Sequence, residues 1–428
     1  MDTRNNVVRL NATAQPLAVA TLYLSGMLQG LTLVSFPASS ALLKQVHHFT
    51  DAQYGAIFLP QVAAAVLGSL AGGSLAQRLG LRNLLWIALG VNALSQCLLA
   101  GTLMLTPGAA FVVVMLGTAS MGFGFGLSGA PLNGYPPLLF PNKRDTAIVA
   151  LHTFLGAGLA VGPVIANAFM SAGHWIGFPL SLAAFALALI ASTLASRFPM
   201  STAPTKAVDT EGDWRMRDPM PVPSTLVDHR LDHPVRVLDF WVFTGIAVIY
   251  AFAEGTFGNW AILYLQDVKH LPKAVAAGAL SVFWAAMVAG RLLTSVLVLR
   301  VAPQRIWTAL PVLMISAFLL LPYASTPVLG IGLFALSGLA CSAFFPLTIG
   351  IASKRFPAQV PWVSSMLIAA LMVGVGMGSW VVGLLRELFA MEHLYRLSVM
   401  YPLLVIALSW RVTGAPKRRI LAKVSQTR

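Results

Sequence analysis

One carboxylic acid in this sequence lies far from any polar segment. Glu254 sits inside an apolar run, 15 residues after Asp239 and 13 before Asp267, whereas every other acidic residue falls in a loop, a tail or the end of a run. If the run spans a bilayer, an ionisable side chain near its middle costs roughly 3 kcal/mol to insert. We therefore expect Glu254 to face the protein interior or a wet cavity, as a candidate proton carrier. A structural carboxyl group, hydrogen-bonded between helices, is the alternative.

A second charged residue, Arg291, also lies inside an apolar run, nine residues before Arg300. Its long side chain can extend along apolar surface toward the nearer membrane boundary. Arg291 is a possible charge partner, and two roles are open for it. In the structural role it packs against backbone carbonyls near the inner end of the protein. In the functional role it binds an anionic substrate.

Neutral polar and aromatic residues at mid-run positions are candidates for binding a substrate. They are Gln29, Gln61, Asn133, Tyr135, His152, Tyr250, Asn259, Trp260 and Trp284. Amides hydrogen-bond the hydroxyl edges of a sugar ring, and aromatic rings stack on its apolar faces. The structural alternative for each is an interhelical hydrogen bond worth under about 1 kcal/mol. An enzyme active site needs several catalytic groups that converge, such as a second acid, or a nucleophile beside a histidine. A single carboxyl group inside the runs does not supply them, so the sequence does not predict an enzyme. We also expect no cofactor and no metal.

The elements that position these residues are predicted to be transmembrane helices. Of 428 residues 57% are hydrophobic and 10% charged, and the mean hydropathy is +0.78. A spanning helix needs roughly 20 apolar residues. Twelve runs meet this need: about 16–38, 53–76, 84–105, 108–135, 146–170, 175–196, 238–265, 275–299, 306–323, 327–351, 361–385 and 395–413. The predicted fold class is an all-α membrane protein.

The positive charges predict the orientation of these spans. With the N-terminus inside, 22 of the 28 Lys and Arg residues flank spans on the inner side. This bias predicts a multi-pass protein of the inner membrane with both termini cytoplasmic. Because the basic residues fringe every inner loop instead of forming one face, the net charge of +14 does not indicate a nucleic-acid binder.

The two halves of the chain look like copies of each other. LGAGLAVGP (155–163) parallels VGVGMGSW (373–380), and PNKRD (141–145) parallels SKRFP (353–357). Parallel repeats joined by a long polar loop predict two pseudo-symmetric bundles around a central site. The predicted parts are an N-terminal six-helix bundle (1–197), a cytoplasmic central loop (198–237) and a C-terminal six-helix bundle with a basic cytoplasmic tail (238–428).

The loop after the second run contains a spaced motif formed by Gly73, Gln77, Arg78, Gly80 and Arg82. It resembles the loop motif of the major facilitator superfamily, Gly-x-x-x-Asp-Arg-x-Gly-x-Arg. Gln77 stands where that family usually has Asp, so we expect a neutral hydrogen bond in place of a charged one. LHTFLGAGLAVGP (151–163), AEGTFGNWAILYL (253–265) and GLACSAFFPLTIG (338–350) resemble the fucose-permease and sugar-symporter branch.

The resemblance implies a monomeric transporter in the lipid bilayer that moves a small polar, sugar-like solute by alternating access, often with a proton. That branch places carboxylates in helices 1 and 4, where this chain has Gln29, Ser128 and Asn133. Either Glu254 carries the proton from the seventh helix, or the protein is a uniporter or couples differently. Organic anions, siderophores, drugs and metal complexes are alternative cargoes. A membrane sensor or assembly protein with the same fold is the alternative class.

Overall fold

The computed structural model describes residues 14–141, 143–196, 198, 234–356 and 360–425. In this part of the chain every regular element is a helix, and ten helical segments are long and apolar enough to cross a membrane. Most of the predicted central loop, residues 198–237, lies outside the described residues. The prediction of an all-helical membrane fold is confirmed, and the count of twelve spans stays a prediction.

The helices of the first half follow the predicted spans, with two of them joined end to end. They are α1 (Ala14–Ala38), α2 (Ser40–His47), α3 (Asp51–Ala56), α4 (Phe58–Gly101), α5 (Pro107–Leu139), α6 (Arg144–Ser171) and α7 (Gly177–Ala195). Within α4, Gly80 has φ 79° and ψ 157°, which breaks the helix into two arms. Only glycine adopts this backbone conformation readily, so Gly80 separates the second predicted span from the third.

The helices of the second half include one predicted span that is broken. They are α8 (Leu238–Leu263), α9 (Lys273–Leu297), α10 (Pro303–Leu320), α11 (Pro327–Cys341), α12 (Phe344–Arg355), α13 (Val360–Arg386), α14 (Met391–Leu397) and α15 (Met400–Ser425). The break lies at Ser342 and Ala343, because Pro346 has no N–H for the Ser342 carbonyl and its ring crowds that carbonyl. Helix α15 overlaps the twelfth predicted span but is not among the ten candidate spans.

Helix contacts run both within each half and between the halves. In the first half α1 packs on α6 and α4 packs on α5 and α7; in the second, α8 packs on α13 and α15, and α9 packs on α11. Helix α6 packs against α9 across the halves, and α13 packs against α3 and α4. The approach of α3 to α13 is close, because a Cβ atom at Gly55 would lie 2.6 Å from the Ser379 carbonyl oxygen.

Candidate functional site

Glu254 lies in α8 with its side chain partly buried. Tyr250, one helical turn earlier on the same face, brings its hydroxyl within hydrogen-bonding reach of the carboxyl group. Arg291 of α9 interacts electrostatically with the same carboxyl group. The acid that the sequence singles out therefore faces polar groups of the protein, and Arg291 is its charged neighbour.

Tyr250 and Arg291 also hold the break between α11 and α12. The Tyr250 hydroxyl donates to the Cys341 carbonyl at 2.7 Å, and Arg291 Nε donates to the Ser342 carbonyl at 3.0 Å. The Tyr250 ring stacks on Phe344, with ring centroids 5.1 Å apart. Of the two roles open for Arg291, the contact with a backbone carbonyl is observed.

A layer of three side chains joins α3 of the first half to α8 of the second half. It consists of Tyr54, Asn259 and Trp260. The Tyr54 hydroxyl donates to the Asn259 carbonyl at 2.7 Å, and the Tyr54 ring meets the Trp260 ring edge-on at 5.1 Å. The Asn259 amide donates to the Ser379 hydroxyl of α13 at 2.7 Å. Tyr54 is fully buried, so this layer excludes solvent between α3 and α8.

Four charged residues form an ion-pair cluster at the same end of the bundle. Lys44 pairs with Asp51 within the first half and approaches Asp267 of the second half at 3.8 Å. Arg386 at the end of α13 approaches Asp51 at 3.5 Å. Among the described residues, these are the ion pairs that cross between the halves. They lie on the face opposite the loops that carry Gly80 and the predicted inner-side arginines.

Three polar atoms of predicted binding residues are buried without a hydrogen-bond partner among the described residues. They are Nε1 of Trp260, Nε1 of Trp284 and Oε1 of Gln61. Buried polar groups are nearly always satisfied, so each such atom calls for an explanation. Trp284 of α9 lies beside Gly258 of α8, one turn from Glu254. Two of these atoms are donors and one is an acceptor, and all three are closed off from solvent in this structure.

The other predicted binding residues make different contacts. Gln29 is buried and donates to the Ser128 hydroxyl, which links α1 to α5. Asn133 is exposed and bonds the Gly129 carbonyl of its own helix at 2.9 Å. Tyr135 is buried against Phe198, with ring centroids 4.5 Å apart.

His152 is exposed on α6 and interacts electrostatically with Arg291 of the other half. The structure therefore brings His152, Arg291, Tyr250 and Glu254 into one polar group, and Asn259 and Trp260 into the neighbouring layer. Among the described residues, no hydrogen bond or ring contact joins Gln29, Asn133 or Tyr135 to either group. No group of three or more metal-ligating side chains occurs in the described ranges.

Comparison with known proteins identifies the family. A family model of the Major Facilitator Superfamily matches residues 18–328. The chain belongs to the major facilitator superfamily. Its members are transporters and not enzymes, and this facilitator is a multi-pass membrane protein.

Several individual proteins are similar to this facilitator. Bypass of stop codon protein 6 from Saccharomyces cerevisiae is 22% identical over 257 residues, which are 58% of this chain and 50% of that protein, so the chain spans about half the length of this curated relative. A variant of the nucleoside transporter NupG superposes with a TM-score of 0.72 at 16% identity, covering 92% of this chain and 99% of that one. A D-xylose–proton symporter superposes with a TM-score of 0.70 at 15% identity, covering 93% and 97%. These structures share the fold.

Of the residues in the loop motif, Arg82 is the one that holds the loop to another helix, α7. Arg82 donates to the carbonyls of Thr193 at 3.1 Å and Leu194 at 2.6 Å, at the end of α7. A cation bonding the last carbonyls of a helix is favourable, because those carbonyls have no partner within the helix. Gln77 and Arg78 are exposed and make no side-chain hydrogen bond to the residues described, so the neutral bond expected at Gln77 is absent from this part of the structure.

Sequence reasoning misses several residues of the site. Tyr54, Ser379 and the members of the ion-pair cluster give no local sign of their partners, which are distant in sequence. The sequence does indicate that the Ser342 carbonyl needs a partner from outside its helix, because Pro346 four residues later removes its helical hydrogen bond.

Proposed function

We propose that this protein is a secondary active transporter that moves a small polar solute by alternating access, with Glu254 as the proton carrier. The observation that carries the proposal is the position of Glu254, partly buried in α8 between Tyr250 and Arg291. An ionisable side chain inside the membrane is costly to keep and commonly marks a transport path. Residues 1–197 and 238–428 are the two six-helix bundles that rock against each other in this proposal.

The contacts between the halves support alternating access. The ion-pair cluster and the layer of Tyr54, Asn259 and Trp260 join the halves on one face. In a transporter that opens to each side in turn, such contacts form in one state and separate in the other. The ion pairs of the cluster are partly exposed to solvent, and ion pairs that water reaches are worth only about 0–1 kcal/mol each, so they break at little cost.

The free polar atoms of the site support a sugar-like solute. Gln61, Trp260 and Trp284 offer hydrogen-bonding atoms and aromatic surface without adding net charge. The structurally similar proteins include transporters named for nucleosides and for D-xylose, both of which contain a sugar ring. We propose a solute with a hydroxylated ring on these grounds.

An organic anion is the second candidate cargo. His152 and Arg291 face each other from the two halves, and both side chains are exposed. A carboxylate or phosphate group between them would be held by a histidine and a guanidinium. Uptake of labelled pentoses and nucleosides, compared with that of small carboxylates, distinguishes the two cargoes.

Reconstitution into liposomes tests the coupling. With an imposed proton gradient, the wild-type protein should accumulate its solute, and Glu254→Gln should lose accumulation while it retains exchange of solute for solute. Glu387→Gln is the control, because Glu387 is an exposed acid outside the spans. Normal proton-driven accumulation by Glu254→Gln would refute the role of Glu254.

We also propose an inner-membrane location, a monomer and both termini in the cytoplasm. The basic residues that flank one side of the helices support this orientation. A C-terminal green fluorescent protein fusion should fluoresce, and a C-terminal alkaline phosphatase fusion should be inactive. The opposite pair of results would reverse the orientation.

A further inference from the structure

We propose that Tyr250 and Arg291 are positioning residues that transmit the protonation state of Glu254 to the break between α11 and α12. This inference rests on the proposed function, since it explains how a proton on Glu254 would change the shape of the bundle. The hydrogen bonds of the two carbonyl groups at the break carry it.

The break leaves a carbonyl group that its own helix cannot satisfy. The Ser342 carbonyl would normally accept from the N–H of residue 346, but that residue is Pro346. Arg291 Nε, 3.0 Å away, supplies the missing donor. Irregular backbone at membrane depth persists only where other groups satisfy it, so the break depends on Arg291.

The hydrogen bond to the neighbouring carbonyl group, that of Cys341, indicates which protonation state of Glu254 fits this structure. A carbonyl oxygen can only accept, so the Tyr250 hydroxyl must donate its single hydrogen to Cys341 at 2.7 Å. Glu254 also lies within hydrogen-bonding reach of that hydroxyl. With the hydroxyl hydrogen already used, Tyr250 does not donate to Glu254 in this structure. That is the arrangement expected when Glu254 carries its proton, since a carboxylate would compete for the hydroxyl hydrogen.

Loss of that proton to solvent reverses the preference of both positioning residues. A carboxylate accepts and cannot donate, and a bond from Tyr250 to it is charge-assisted and stronger than a bond to a carbonyl. The Tyr250 hydroxyl then turns from Cys341 to Glu254, and the Arg291 guanidinium is drawn toward the same negative charge. The carbonyls of residues 341 and 342 both lose their donors, and the break loosens.

Among the residues whose side chains the structure describes, Arg291 is the charged group that acts on Glu254. Helix α1 has no charged residue, and the single one of α13, Arg386, pairs with Asp51. Asp239, at the start of α8, pairs with Arg355 at the end of α12. His152 reaches the site through Arg291 and not through the carboxyl group.

Cys341 itself reports on the break, because it is fully buried at the end of α11. In a Cys97→Ser background, the rate of alkylation of Cys341 by N-ethylmaleimide is measured between pH 5 and 9, a range that covers the titration of carboxyl groups in apolar surroundings. The ratio of the wild-type rate to the Glu254→Gln rate removes the pH dependence that the thiol shows without an acid at position 254. A negative charge on Glu254 disfavours the nearby thiolate and so lowers this ratio, which means that a rise with pH reports the loosening of the break. We expect this ratio to rise about 3- to 10-fold with pH, the size of one lost hydrogen bond.

Two further variants separate positioning from general damage. Tyr250→Phe should label rapidly at every pH, because the Cys341 carbonyl has lost its donor regardless of the charge on Glu254. Tyr264→Phe is the matched control, since its hydroxyl donates to the Leu321 carbonyl at 2.9 Å and not to a carbonyl of the break, and it should keep the wild-type pH response. Arg291→Lys, which keeps a charged donor, should retain part of that response.

The outcomes separate this inference from the proposed function. If Glu254→Gln loses proton-driven accumulation but the labelling ratio stays flat with pH, the inference fails and the proposed function stands. If Glu254→Gln accumulates solute normally, the proposed function fails. A pH response in Tyr250→Phe equal to that of the wild type would also overturn the inference.

Discussion

Replacing Gly55 with alanine should prevent the close contact between α3 and α13. The new Cβ atom would lie 2.6 Å from the Ser379 carbonyl oxygen and 3.0 Å from the Trp380 Cα atom, and real Cβ atoms essentially never come within 3.0 Å of another heavy atom. Both neighbours are backbone atoms, so no change of rotamer relieves the clash and the two helices must move apart.

The magnitude follows from the cost of overpacking. An added methyl group in a well-packed contact typically costs about 1–3 kcal/mol. If the helices separate in the other state of the transport cycle, the cost falls on this state alone. The ratio of the two states then shifts about 5- to 150-fold away from the structure described above.

Distances between spin labels on the two halves measure this shift. Val46→Cys and Leu388→Cys place labels at two exposed positions near the ion-pair cluster, in a Cys97→Ser background. Gly55→Ala should move the population from the short to the long distance. Gly278→Ala is the control, because no other group lies within 4 Å of the point that its new Cβ atom would occupy. Identical distance distributions in Gly55→Ala and the control would refute the argument.

Three further predictions concern the loop motif and the binding site. Arg82→Ala should lower the free energy of unfolding by about 1–2 kcal/mol, because two partly exposed charged hydrogen bonds to α7 are lost, whereas Arg78→Ala should leave the melting temperature unchanged. Gly80→Ala should cost about 1–3 kcal/mol in the same melting assay, since its φ of 79° strains any other residue, and Gly73→Ala at an open position should not destabilise. Trp284→Phe should raise the KM for transport about 2- to 12-fold through the loss of one indole donor, and an unchanged KM would exclude a contact between that donor and the solute.

The sequence predicts the helices of this fold better than their partners. Length and apolarity are local properties, so α5, α9 and α13 lie close to their predicted ranges. The boundary at Gly80 is equally local, because the motif places a glycine where the chain needs a positive φ. For α11 and α12 the sequence predicts a single span over 327–351, although Pro346 breaks that span and fixes which carbonyl needs an outside donor.

The site is predictable only where a single residue is unusual for its surroundings. Glu254 and Arg291 stand out because charges are rare inside apolar runs, and in the structure the two interact electrostatically. The pairing of Asp51 with Arg386 could not be predicted, because each is an ordinary charge at the end of a helix. Asn133 shows that a polar residue inside an apolar run need not point to a binding site, because its side chain bonds a carbonyl of its own helix.

The anchor at Arg82 has a consequence for a protein whose proposed driving ion is the proton. The hydrogen bonds of this anchor join a guanidinium to two backbone carbonyls, and neither a carboxyl group nor a histidine takes part in them. The contact between the second arm of α4, after Gly80, and the end of α7 therefore does not depend on pH. Changes of pH do not alter these hydrogen bonds, and sensitivity to protons must come from other parts of the bundle.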